Sequence, residues 1–196
     1  MTYTVVGLGN PGEAYEKTRH NAGSRAVLAF AKKENLGLFS ESKKYRSRVA
    51  FGALGKEKIL LLLPETFMNK SGVAVTSAVK SKKGAERLVV VHDDLDLPLG
   101  SIKISYARSS GGHRGVESVI RALKTNEFVR VRIGVSGATP TGKLKKPKGE
   151  KAVLDFILKQ FSAKEEEILK KTLKRAADAI AVIIRAGRQK AMGEYN

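Results

Sequence analysis

The amino-acid sequence predicts an α/β protein whose sheet is covered by helices on both faces. Three observations carry this. Short apolar, β-branched runs alternate with stretches of helical character. Two of those runs, LLLL at 60–63 and LVVV at 88–91, are apolar at every residue rather than every second one, as in a strand buried on both sides. And 196 residues with 42% hydrophobic content suit one folded domain.

Taken in order, the first strand is expected at 4–8, leading into a polar connection and then a helix over 21–33. A strand over 46–54 is expected to pair by hairpin with one at 58–63, because Gly55 and Lys56 offer a turn. A helix at 72–81 follows, then strands at 87–91 and 101–106. A glycine-rich loop opens a helix at 116–123, and a strand at 129–135 comes after it. The segment 137–149, GATPTGKLKKPKG, has no apolar period and reads as a mobile, basic surface loop. From about 163 to 190 a C-terminal amphipathic helix is expected, since Leu169, Leu173, Ala176, Ile180 and Ile183 fall at spacings of three and four.

A formal charge of +18, from 37 Lys and Arg against 19 Asp and Glu, should attract polyanions, with nucleic acid the first to consider. The absence of cysteine removes disulfides, thiolate nucleophiles and cysteine zinc sites together, and fits a reducing compartment. No basic-then-apolar leader opens the sequence and no window is long and apolar enough to span a bilayer. A cytoplasmic protein with no membrane partner is therefore expected.

Three motifs nearly fit other chemistries. Gly7, Gly9 and Gly12 satisfy the dinucleotide pattern G-x-G-x-x-G after a strand, yet 13–20 is too polar for the helix that should open there, and the acid expected at the end of a second strand is missing. Residues 137–143 read G-x-x-x-x-G-K, but Leu144 stands where a magnesium-binding hydroxyl belongs and Pro147 would interrupt the phosphate-binding helix. His92, Asp93, Asp94 and Asp96 suggest a hydrolytic metal site, although neighbours on a strand point to opposite faces. A metal stays open as an alternative; no metal or cofactor is expected on the main reading.

What remains are polar side chains after strand ends, where α/β sheets place their sites: Asn10, Asn69 and Asp93. If the strands preceding them are neighbours, the three line one crevice, and His20 closes the loop that begins at Asn10. A histidine beside a carboxylate is the usual general base near neutral pH. No cysteine and no serine in a G-x-S-x-G elbow accompanies the pair, so water activation follows, with Asp93 fixing the imidazole and asparagine amides stabilising an oxyanion.

GLGNPGEAYEKTRHNAG, PETFMNKSG and HDDLDLPLGSIKISYARSSGGHRG together resemble, in order and spacing, the signature segments of bacterial peptidyl-tRNA hydrolases. The resemblance implies a single-domain, three-layer fold with a central mixed, twisted sheet surrounded by helices. It implies His20 as the base, Asp93 as its partner, and Asn10 and Asn69 as positioning and oxyanion-stabilising amides. It further implies that Tyr15, Phe67, Asn69, His113 and Arg114 line the substrate site, and that Lys103, Arg130 and Arg132 face the acceptor-stem phosphates of the tRNA. The substrate would be a peptidyl-tRNA from a stalled ribosome and the protein a monomer without an obligate protein partner. One position departs from the family: Arg114 stands where its members usually carry Asn. Arginine keeps donors but loses an acceptor and adds charge, so a slower enzyme or a catalytically silent RNA-binding relative is the alternative reading. A nucleotide-dependent enzyme is the third.

Overall fold

The computed structural model describes residues 2–139 and 141–196. Its sheet has eight strands: β1 (Thr2–Gly7), β2 (Ser40–Ser42), β3 (Ser47–Leu54), β4 (Glu57–Pro64), β5 (Leu88–Pro98), β6 (Ile102–Tyr106), β7 (Val129–Ala138) and β8 (Leu144–Lys145). The spatial order is β2-β3-β4-β1-β5-β7-β6, with β8 attached to β7. The four central strands β4, β1, β5 and β7 run parallel, and the outer ones are antiparallel, so the sheet is mixed.

Helices cover both faces. On one side lie α1 (Ala22–Lys33) and α6 (Ala163–Ala186); on the other, α2 (Ser71–Ala78) and α4 (Arg114–Leu123). Successive strand residues feed alternate layers. Val5, Leu61, Val89 and Val131 pack with Phe30 and Ile180, whereas Val6, Leu62 and Val90 pack with Val75 and Val119. This two-sided demand is why LLLL and LVVV have no polar position.

Several elements depart from the sequence reading. The helix expected at 72–81 stops at Ala78; Val79 is extended, and a short α3 (Lys82–Ala85) restarts behind the Ser81 cap. The C-terminal helix is two: Gly187, at φ 86°, ends α6, and α7 (Arg188–Tyr195) follows. Residues 137–149 contain β8, and Lys146 within them reaches Asp96 at 2.5 Å; Pro140 of that stretch lies outside the described residues. A helix α5 (Glu150–Leu158) follows where none was expected. Strand β5 also runs past the HDD cluster to Pro98, with a register shift after Asp94. Gly134 opposite makes room, since a Cβ there would strike the Pro98 carbonyl.

Two glycines set the spacing near the strand ends. A Cβ on Gly23 would run into the carbonyl oxygen of Val91, so the first turn of α1 lies directly against β5. A Cβ on Gly72 would meet the Ser118 carbonyl, bringing α2 against α4. No helix among the described residues is long and apolar enough to cross a membrane.

Candidate active site

Because β4, β1 and β5 are consecutive in the sheet, the loops after β4 and β1 and the second half of β5 itself open into one cleft of about 620 Å³, lined by Asn10, Asn69 and Asp93 together with Tyr15, His20 and Phe67. Its other wall is α5, which contributes Val153, Leu154 and Ile157. His113 and Arg114, at the start of α4, complete the rim.

The chain has three histidines, and all of them gather around Asp93. His20 sits in a 3-10 turn, Arg19–Asn21, and its Nδ1 lies 2.9 Å from Asp93 Oδ1. His113 Nε2 lies 2.9 Å from the same oxygen. The tautomers follow from the other bonds. His113 is the N-cap of α4: its Nδ1 accepts from the backbone N–H of Gly115 and of Val116, at 3.2 Å each, so the proton must be on Nε2 and is donated to Asp93. His20 likewise gives its Nδ1–H to the carboxylate, which leaves Nε2 as an acceptor. Burial alone would raise the Asp93 carboxyl, but the facing imidazoles of His20 and then His113 outweigh it and hold the group far below the usual carboxylate range.

His92 plays a different part. It is fully buried, donates Nδ1–H to the Asp93 carbonyl oxygen at 2.7 Å, and stacks edge-on against His113. Its Nε2 has no hydrogen-bond partner among the described residues. Burial, and next the facing His113, push its pKa well below the ordinary value, with Asp93 only partly opposing.

Asn10 is held from both sides. Its N–H donates to Asn21 Oδ1 at 2.9 Å and its carbonyl accepts from Asn21 Nδ2 at 3.0 Å. Its Oδ1 accepts from the Met68 N–H at 2.8 Å, which fixes the amide so that Nδ2 is the group left for a ligand. Asn69 and Phe67 are exposed, Phe67 by 59%, and Tyr15 is half-buried.

The basic residues separate into two groups. Arg114 spans the cleft mouth to pair with Glu150 at the start of α5. Lys103, Arg130 and Arg132 are not in the cleft lining; they lie on the neighbouring face of β6 and β7, where Lys103 and Arg132 are register partners. Lys103 is exposed, Arg132 Nε pairs with Asp94 Oδ2 at 2.7 Å, and Arg130 is 4% exposed. The alternation of Arg130 and Arg132 with core residues Val129, Val131 and Ile133 gives the two a common face.

The motifs set aside in the sequence have structural explanations. Gly7 is met by α1 at Ser24, and Gly9 by Ser24 and by Asn21, the N-cap residue of α1, so they serve close packing of the first strand's end against that helix. Residues 137–143 lead into a hairpin with β8 and not into a helix. In HDDLD the carboxylates disperse, Asp94 to Arg132 and Asp96 to Lys146, while His92 turns to a carbonyl. Among the described residues one trio brings ligand-type atoms within 4.8 Å, His20, Asp93 and His113, and its approach is already made by imidazole protons.

What sequence reasoning missed is the His113 bond to Asp93 and the α5 wall. The wall had a signal in Val153, Leu154 and Ile157, spaced for one helical face. The bond had none, since it depends on how α4 docks.

The family profile described as peptidyl-tRNA hydrolase matches residues 4–196. The peptidyl-tRNA hydrolase of Carboxydothermus hydrogenoformans is 45% identical over 195 residues, spanning 99% of this chain and 98% of that protein. That of Syntrophotalea carbinolica is 40% identical over 193 residues, 98% and 95% of the two chains. A crystal structure of peptidyl-tRNA hydrolase from Acinetobacter baumannii superposes with a TM-score of 0.87 at 28% identity, covering 98% of this chain and 93% of the other.

Proposed function

The chain belongs to the peptidyl-tRNA hydrolase family, acting as a hydrolase on peptidyl-tRNA, and on that premise we propose which residues carry the reaction and how. His20 Nε2 takes a proton from a water whose oxygen attacks the ester carbonyl carbon between peptide and tRNA. The carbonyl oxygen gains negative charge and is met by the free Nδ2 of Asn10 and by Asn69. The bond to the ribose oxygen of the tRNA 3′ end then breaks, and that oxygen takes the proton back from the imidazolium. Asp93 holds the reactive tautomer and balances the imidazolium while it exists. The observation that carries this is the Asp93 Oδ1 hydrogen bond to His20 Nδ1, which leaves the base one nitrogen for the cleft.

The surroundings support the same reading. Tyr15 and the exposed Phe67 offer aromatic faces to the terminal base of the tRNA. His113, with both nitrogens engaged, acts on the substrate side through Asp93, and Arg114 meets the ligand at the rim. Lys103 and Arg132 offer charge to acceptor-stem phosphates, with Arg130 adding field from beneath. The biological substrate is peptidyl-tRNA shed by stalled ribosomes, and the protein works as a cytoplasmic monomer that returns tRNA to use; the absence of cysteine fits that compartment.

The test is release of tRNA from an N-acetyl-aminoacyl-tRNA with EDTA present. The wild-type protein should cleave it, and His20→Ala should be slower by about a hundred- to ten-thousand-fold while staying folded. Loss of activity on chelation would instead assign a cation to the His20, Asp93 and His113 trio. Tight, salt-sensitive RNA binding without cleavage would favour the silent relative and assign the loss to Arg114.

A further inference from the structure

Arg19 precedes the proposed base and is sealed inside the protein at 4% exposure. One terminal guanidinium nitrogen donates to the carbonyls of Lys159 and Gln160, at 3.2 and 2.7 Å, and the other terminal nitrogen to both carboxylate oxygens of Glu165, at 2.8 Å each. The rings of Phe156 and Phe161 contact the guanidinium, with centroids 4.6 and 4.9 Å away. The backbone follows: Arg19 N–H donates to the Lys159 carbonyl at 3.2 Å, and Thr18 forms a β-bridge with Gln160. Every one of these partners lies at the end of α5, in the link after it, or in the first turn of α6. Glu165 is itself fixed, because it also accepts from Ser162 N–H in the capping box of α6.

A three-residue 3-10 turn has little stability of its own, so outside contacts set its position. The turn carrying His20 has three such ties: Asp93 at the imidazole, the Asn10 backbone at Asn21, and the α5–α6 junction at Arg19. The mechanism uses only the first. We propose that Arg19 is a positioning residue, which fastens the His20 turn to the α5 wall so that base and apolar wall keep one spacing. The assignment rests on His20 being the base. Lysine cannot reproduce it, because a point ammonium cannot meet a carboxylate fork, two carbonyls and two rings together.

The experiment compares Arg19→Lys and Glu165→Gln with wild type, below the unfolding temperature of each. Misplacing a reacting group by about an ångström costs about a hundredfold in rate. Arg19→Lys should therefore lower kcat by about ten- to a hundredfold with KM nearly unchanged, and weaken or abolish the low-field proton resonance of His20 Nδ1–H. Glu165→Gln, which keeps the capping bond, should do the same to a smaller degree and remains informative if Arg19→Lys does not fold. Wild-type kcat and an intact resonance in a folded variant would make Arg19 a fold anchor only. A rise in KM at constant kcat would put its influence on the wall, and would also overturn the proposal. The resonance needs no substrate, so failure of the wild type to hydrolyse peptidyl-tRNA would sink the base assignment separately from the Arg19 tie.

Discussion

Replacing His113 by alanine removes two kinds of bond, whereas replacing it by asparagine removes one. Nδ1 of His113 caps α4 through Gly115 and Val116, and loss of a helix N-cap costs about 1 kcal/mol. Its Nε2–H meets a buried carboxylate at 2.9 Å, with the two side chains 8% and 3% exposed, and a hydrogen bond to a charged group contributes about 1.5–3 kcal/mol. His113→Ala should therefore lower the unfolding free energy by about 3 kcal/mol. Asparagine is a good cap but too short to reach Asp93, so His113→Asn should recover about 1 kcal/mol of that loss. Urea unfolding at pH 7, with unchanged m-values, reads both differences. Equal stability of the two variants would refute the capping role, and an alanine cost below about 1 kcal/mol would refute the bond to Asp93. Both should lose much less activity than His20→Ala, since the His20–Asp93 bond survives.

Because His92 stays neutral in the folded state, the unfolded chain takes up a proton that the native protein does not. Unfolding free energy should thus fall as pH drops below about 6.5, by up to about 1.4 kcal/mol per unit until the native ring is protonated, and His92→Leu should flatten that limb of the urea series. Asp93 acts lower on the scale. Its folded-state pKa is depressed, so its contribution is full above about pH 4 and is lost as pH falls further, and the stability gap between wild type and Asp93→Asn should close in that window. At neutral pH the same variant should lose about a hundred- to ten-thousand-fold in tRNA release. Gly72→Ala should destabilise by about 1–3 kcal/mol by forcing α2 from α4, whereas Gly193→Ala, in the open on α7, should stabilise by about 0.5–1 kcal/mol in thermal or chemical melts.

The central strands and the helices between them were legible because their residues face two cores, and the residues themselves encode that demand. Asn10 and Asn69 follow strand ends as the topological rule expects, whereas Asp93 lies inside β5, which continues to Pro98; with His20 they share one cleft because β4, β1 and β5 are neighbours. Other features were set by contacts distant in sequence. His113 looks like a loop residue until α4 docks its N-terminus on β5. Helix α5 was overlooked because its apolar face is short and faces a cleft, leaving Leu154 41% exposed. Arg130 and Arg132 share a face as their alternation requires, yet only the fold buries the first and pairs the second with Asp94.

Gly23 is not part of the cleft lining and carries no charge, yet it acts as the gauge block of the site. The His20 turn runs straight into α1, and α1 can seat against β5 only because position 23 has no side chain. One added carbon would lift that seat by more than the narrow range of lengths a hydrogen bond tolerates, and His20 would part from Asp93 with every reactive group still present. Anyone grafting this histidine and carboxylate into another scaffold would have to copy that missing atom as faithfully as the groups themselves.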